Sequence, residues 1–290
     1  MLGQLYLLLL EPDKAVSHLE TGVAGAQALN SAIWTNQLTP YLALSYILRR
    51  EFPRAEAALK TIISRDQQAT NFFERQATRI WGELALAQGQ PAIALRIAEQ
   101  LIVSAPGNEH QPIPHLLALK GEALLSLKHS EEAVSALEEA KLGAQQRQAP
   151  SILWRIHRSL GRVYHLLKHE DQAQREWSGA RDIITKLATS IDETPLREHF
   201  LRAALVSLSP GKSLSQEALA SSKYGGLSAR EREVATLVTQ GKTNREIAAH
   251  LVVSERTAEA HISNILAKLG FTTRAQIAAW ATEKGLTTTH

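Results

Sequence analysis

Residues 227–270 read LSAREREVATLVTQGKTNREIAAHLVVSERTAEAHISNILAKLG, and three helix starts fall inside this stretch. Ser228 with Glu231, and Thr243 with Glu246, have the spacing of a capping box. In that arrangement the hydroxyl accepts an N–H of the first turn while the carboxylate reaches back to the cap's own N–H. Ser254 stands where a third helix must begin, leaving only the short apolar turn Val252-Val253 after the second. Two short helices joined this tightly, the later one polar along its outer face, have the plan of a helix-turn-helix.

The helix after Ser254 carries Ala258, Ile262, Ile265, Leu266 and Leu269 at spacings of three and four, so they share one face. That face is expected to pack on Val234, Leu237, Val238, Ile247, Ala248 and Leu251. The opposite face holds Arg256, Ala260, Ser263, Asn264 and Ala267, flanked by Glu259 and His261. Small side chains let a helix approach base edges in the major groove, and polar ones read donors and acceptors there. The positive helix end at residues 254–257 suits a phosphate. Gly270 is expected to end the helix as a C′ residue. Thr273 and Gln276 form one more capping box, for a fourth helix ending near Gly285.

Many residues of this segment stand where a known family has them. They include Leu227-Ser228, Arg230-Glu231, Glu233-Val234, Gly241, Asn244, Glu246-Ile247-Ala248, Leu251, Ser254-Glu255, Thr257, His261-Ile262, Asn264-Ile265-Leu266, Lys268-Leu269-Gly270 and Arg274-Ala275. The segment, roughly residues 225–286, resembles the LuxR-type helix-turn-helix domain shared by NarL/FixJ response regulators and MalT-like activators. The resemblance implies that the third helix enters the major groove and that the fourth serves dimerisation. It implies base reading by Glu259, Ala260 and Ser263, and backbone positioning by Lys242, Asn244, Arg256, Thr257, His261 and Lys268. Family members often have Lys or Arg at the positions of Glu259 and Ser263, and Val at that of Ala258. Glu259 accepts from cytosine N4 but cannot bond guanine O6/N7. In the fourth helix, Ile277, Ala278, Trp280 and Ala281 make an apolar stripe that serves core packing or a dimer seam anchored by Trp280. Arg274 and Glu231 are placed for an ion pair between helices four and one, an alternative to a DNA role for Arg274.

A second pattern fills the preceding two hundred residues. Gly3/Tyr6, Ala43/Tyr46, Gly82/Ala85, Gly121/Leu124 and Gly161/Tyr164 start at steps of 40, 39, 39 and 40. Twelve residues after each small residue comes Ala15, Ala55, Ala94, Ala133 or Ala173, and four further on Leu19, Leu59, Ala98, Leu137 or Trp177. Polar turns such as Glu11-Pro12-Asp13, Lys128-His129-Ser130 and Lys168-His169-Glu170 separate the two marks. One repeat is therefore helix, turn, helix. The spacing resembles the tetratricopeptide pattern, clearest in Leu160-Gly161-x-x-Tyr164…Ala173-x-x-x-Trp177, with a period longer than the usual 34. A helical array of another type is the alternative. Either way the expected fold is all-α: a helical-hairpin solenoid of about five repeats over residues 1–208, a linker over 209–224, and a four-helix helix-turn-helix domain over 225–290. A short helix around residues 196–208 closes the solenoid. MalT-like activators place such a superhelix directly before a LuxR-type reader, in the same order.

The first repeat begins with a run of leucines, Leu5 and Leu7 to Leu10, and little polar surface. A solenoid end needs a polar cap. The expectation is that the natural chain starts further upstream, with a nucleotide-binding domain as in MalT-like proteins, or that another protein covers this end.

Composition narrows the function. The chain has no cysteine, which excludes disulfides and thiolate metal sites and fits a cytoplasmic protein. Residues 227–290 hold eight Lys/Arg against six Asp/Glu, a net +2, so non-specific DNA affinity is expected to be weak and dimerisation important. No segment is long and apolar enough to suggest a membrane span. Gly211-Lys212-Ser213 and Gly241-Lys242-Thr243 look like the end of a phosphate loop, but Val206 and Thr236 stand where its first glycine belongs. His165 and His169 share a helical spacing without an evident third metal ligand and are read as solvated, as are the many Glu residues of the repeats. No catalytic constellation or cofactor motif stands out. The expected function is a sequence-specific DNA-binding transcription regulator, a homodimer on double-stranded DNA, whose repeats sense a small-molecule inducer or a protein partner. The alternative is an interaction scaffold with a C-terminal docking bundle, which would lack salt-dependent DNA affinity.

Overall fold

A computed structural model describes residues 2–105, 112–208, 227–251, 253–269 and 271–286. The expected linker, the Gly270 cap and half of the Val252-Val253 turn lie outside these residues. The described residues are helical and contain no strand. The chain folds as two compact units, Met1–Gly211 and Lys212–His290.

The first unit is an array of antiparallel helices: α1 (Leu2–Leu8), α2 (Pro12–Ala28), α3 (Ala32–Leu48), α4 (Phe52–Lys60), α5 (Phe72–Ala87), α6 (Pro91–Val103), α7 (Pro114–Ser126), α8 (Ser130–Gln146), α9 (Pro150–Leu166), α10 (Glu170–Thr189) and α11 (Thr194–Val206). Proline opens many of them, where a missing N–H is harmless and the fixed φ already suits a helix. Each hairpin turns on one left-handed residue: Leu10, Arg50, Gly89, Lys128 or Lys168. These positions step by the same 40, 39, 39 and 40 as the small residues. The following N–H then closes onto a carbonyl five residues back, as in Glu51 N–H to Tyr46 O (2.9 Å) and His169 N–H to Tyr164 O (2.8 Å).

The small residues do what their spacing predicts. A Cβ at Gly3 would lie 2.4 Å from the Leu19 side chain, one at Gly121 2.5 Å from Leu137, and one at Gly161 2.3 Å from Trp177. Each glycine thus receives the large residue sixteen positions later in its own hairpin. The third repeat has Ala98 at that position, and the space over Gly82 is filled instead by Leu119 from α7 of the next repeat, 2.6 Å from a Cβ there. The five alanines of the second helices are all fully buried.

Tyr46 and Tyr164, equivalent residues of two repeats, each donate to a carboxylate 26 residues back, Glu20 (2.7 Å) and Glu138 (3.1 Å). Burial, reinforced by the carboxylate, pushes both phenols up to about 12. Glu176 is likewise built in, between His157 Nδ1 (2.6 Å) and Lys141 Nζ (3.0 Å). The expectation that the repeat glutamates form a solvated face therefore needs correction: once hairpins stack, several glutamates meet phenols 26 positions away and cations 19 to 40 positions away.

The array curls until its last helix meets its first turn. Leu9 shares a buried cluster with Trp154 of α9, Ile184 of α10, and Phe200, Ala204 and Leu208 at and beyond α11. His199 Nε2 lies 3.1 Å from the Leu10 carbonyl, and His199 Nδ1 3.5 Å from Glu11. Cover for part of the leucine run thus comes from α11, the last helix of the same unit, a source that reading its two ends separately does not suggest. Leu2, Leu5 and Leu8 remain exposed on the other side of α1.

The second unit contains α12 (Ala229–Thr239), α13 (Asn244–Leu251), α14 (Glu255–Leu269) and α15 (Arg274–Glu283). Its core is Leu227, Val234, Ala235, Leu237, Val238, Ile247, Ala248, Leu251, Ala258, Ile262, Ile265, Ile277 and Ala281. Leu266 and Leu269 pack at its margin.

Candidate nucleic-acid interface

The four helix starts are built as their sequences require. Ser228 Oγ accepts from Glu231 N–H (3.2 Å), and the Glu231 carboxylate accepts from Ser228 N–H (2.7 Å). Thr243 and Glu246 make the same reciprocal pair, and Thr273 does so with Gln276. Ser254 Oγ accepts from Thr257 N–H at 3.1 Å. Gly241, with φ +74°, supplies the reversal between α12 and α13. Arg230 fixes the next turn: it donates to the Leu251 carbonyl (2.6 Å) at the end of α13 while pairing with Glu233 (2.8 Å).

This frame sets the orientation of α14. Ala258, Ile262 and Ile265 point into the core. On the other side Arg256, Thr257, Glu259, Ala260, Ser263 and Asn264 are exposed, with His261 half-buried beside them. The side chain of Ala267 lies outside the described residues. Among the described residues nothing covers this face, which stands as a strip of small and polar groups on a single helix, the element that a major groove admits.

The residues proposed to grip the backbone fare unequally. Arg256 and Thr257 lie at the open end of α14, where the helix dipole favours an anion. Lys242 and Asn244 sit at the start of α13 and are tied to α15. Arg274 donates to Asn244 Oδ1 (2.9 Å) and to the Lys242 carbonyl. Asn244 keeps its NH2 group for a further acceptor.

Lys268 is engaged. Its ammonium lies 2.8 and 2.6 Å from the two Glu231 oxygens. Burial by itself would raise the Glu231 pKa, but the bonds from Lys268 and Ser228 outweigh it and hold the carboxyl below the ordinary carboxylate range. The expected Arg274–Glu231 ion pair is therefore corrected: Glu231 faces the end of α14, and Arg274 faces the α12–α13 turn.

The apolar stripe of α15 divides in the same way. Ile277 and Ala281 are fully buried in the unit's own core, and Trp280 is half-buried at its edge. A seam between copies could not be reached through Ile277 and Ala281 in this fold, and Trp280 is the one of the three that presents surface. Sequence reading missed the positioning role of Arg230 and gave Arg274 the wrong partner, because backbone carbonyl acceptors leave no trace in composition.

Comparison with known proteins places this geometry. The family described as "Bacterial regulatory proteins, luxR family" matches residues 226–281. The spore germination protein GerE of Bacillus subtilis is 52% identical over 50 residues, 17% of this chain and 68% of GerE. The chain belongs to the luxR family. The transcriptional regulatory protein YhcZ of Bacillus subtilis, uncharacterized by its own description, is 47% identical over 64 residues, 22% of this chain and 30% of YhcZ. An HTH-type regulator of Mycobacterium tuberculosis, Rv0890c, is 26% identical over 225 residues, 75% of this chain and 23% of that protein. An alignment of that length extends well into the repeat unit. The chain spans about a quarter of the mycobacterial relative and less than a third of YhcZ. Kinesin-light-chain TPR-like repeats from Podospora anserina cover 65% of this chain and 94% of their own at 20% identity, with a TM-score of 0.43. No helix among the described residues is long and apolar enough to cross a membrane.

Proposed function

We propose that this chain is a sequence-specific DNA-binding transcriptional regulator of the bacterial cytoplasm. Its C-terminal unit reads duplex DNA as a homodimer, and its repeat unit senses a small molecule or a protein partner. The observation that carries the reading is the uncovered face of α14, held outward by capped helices and lined by Arg256, Glu259, Ala260, Ser263 and Asn264. Ala260 allows close approach to the bases, Ser263 and Asn264 supply donors and acceptors, and Glu259 accepts from cytosine N4. Arg256, Thr257, Lys242, the Asn244 amide and His261 hold phosphates around that helix. A half-buried Trp280 supports a dimer seam along the outer side of α15, with Ile277 and Ala281 packing behind it. DevR/DosR of Mycobacterium tuberculosis, described as a DNA-binding transcriptional activator and 37% identical over 81 residues, supports the direction of this reading.

The test is a titration of the whole chain on duplex DNA across a salt series. Affinity is expected to fall steeply as salt rises, because each neutralised phosphate releases counterions. Arg256→Ala is expected to weaken all sequences alike and to reduce the salt slope by about 1. Glu259→Lys is expected to change base preference, by about 1–3 kcal/mol at the position read. Salt-independent or absent binding overturns the reading in favour of a docking bundle.

A further inference from the structure

The first helices of consecutive repeats place one more cluster side by side. Arg79 and Glu83 lie on α5, His115 and Glu122 on α7, and Arg155, Arg158 and Arg162 on α9. Glu122 is shared by Arg162 (3.3 Å), Arg158 (3.9 Å) and the Ser159 hydroxyl. Glu83 is taken by Arg79 at 3.4 Å. Arg155 has no carboxylate at ion-pair distance among the described residues; its guanidinium lies 5.1 Å over the Trp154 ring. Arg158 Nε is buried and has no hydrogen-bond partner among the described residues.

The cluster is strongly desolvated and unbalanced. Burial lowers Arg155 to about 10, and neighbouring Arg158 adds to the effect. Burial also lowers His115 to about 4, with Arg79 and Arg155 opposing its protonation, so the imidazole is neutral. Glu83 is raised by burial against the pull of Arg79. Yet Glu83 keeps a third of its side-chain surface and His115 is exposed, so solvent and small solutes reach the cluster. Four guanidiniums face two carboxylates, an excess of +2. Desolvated charge of one sign is expensive to hold without a counter-ion. Planar guanidinium forks are matched to carboxylate and phosphate oxygens.

We propose that this arginine-rich cluster on α5, α7 and α9 is a binding site for a small, multiply charged anion, a phosphate ester or a polycarboxylate. Arg155 supplies the guanidinium without a carboxylate, Arg158 stands beside it held at 3.9 Å by Glu122, Arg79 comes from α5, and neutral His115 on α7 offers a further polar contact. The site deepens the sensing role proposed above. It is tested without DNA, so failure to bind an operator and failure to bind the anion are separate results.

Calorimetric titration of the full chain with inorganic phosphate, with citrate and with neutral glucose separates the sources. Saturable binding of one anion at one site per chain is expected, with no heat from glucose. Arg155→Gln is expected to weaken that binding at least tenfold. In anion-free buffer the same variant is expected to melt at or above the wild-type temperature, because a half-buried charge with no carboxylate partner has been removed. Anion binding unchanged in Arg155→Gln, or absent for both anions, overturns the proposal. So does a lower melting temperature of the anion-free variant, which would make Arg155 a structural group.

Discussion

Lys268 and Glu231 show how much one side chain's surroundings matter. The carboxylate is nearly sealed from water and accepts from both Lys268 and the Ser228 N–H. Removing the ammonium leaves a buried charge with fewer partners. Lys268→Met is expected to destabilise the C-terminal unit by about 1–2 kcal/mol near neutral pH, discounted because Lys268 itself is partly exposed. The sign with pH follows from the depressed Glu231 pKa. Its stabilisation is complete above the ordinary value of 4.5 and is lost as pH falls through the lower folded value. The gap between wild type and Lys268→Met in urea denaturation should therefore shrink as pH drops below about 4.5. A gap independent of pH would show that the pair does not act through Glu231. Any loss of DNA affinity in Lys268 variants has to be read against this loss of stability. Arg256, exposed at the start of α14, is the cleaner probe of phosphate contact.

At the scale of the element, the hairpins depend on glycine–large-residue pairs sixteen positions apart. Gly161 sits against the Trp177 indole, whose N–H has no hydrogen-bond partner among the described residues. Gly161→Ala is expected to destabilise by about 1–3 kcal/mol through overpacking. In a Trp177→Ala background the same change should become neutral or stabilise by about 0.5–1 kcal/mol, since alanine is the better helix former once the clash is gone. Gly25, with nothing within 4 Å of a Cβ, serves as the control and should gain from Ala in either background. A Gly161→Ala penalty that survives Trp177→Ala would refute the pairing. The helices of the C-terminal unit were legible for a different reason. Each starts with a cap whose partner lies three residues on, and that reach is local, so Ser228, Thr243, Ser254 and Thr273 mark their helices whatever the rest of the chain does.

On the scale of the repeat unit as a whole, the decisive feature is closure. Leu9 in the first turn and Phe200 in the last helix are both buried in one cluster. Phe200→Ala is expected to destabilise the repeat unit by about 3–5 kcal/mol and Leu9→Ala by about 2–5 kcal/mol. Measured together by denaturant unfolding, the two should couple by about 0.5–3 kcal/mol, because either one already opens the contact. Strict additivity would mean that the ends of the array do not hold each other. Stacking of the repeats also sets Arg158 and Arg162 of α9 against Glu122 of α7, next to the Arg79–Glu83 pair of α5.

The chain's order of residues was enough to specify the helices, their caps, the hairpin period and the polar strip of α14, because each depends on neighbours within one turn or one repeat. It did not identify Lys268 as the partner of Glu231, the partners of Arg274 and Arg230 in neighbouring helices, the sealing of Ile277 and Ala281, or the meeting of Leu9 with Phe200. Those contacts join residues 21 to 191 positions apart. Which of many similar side chains meet across such distances depends on how helices stack and how far the array bends, and packing decides that only when the whole unit is assembled.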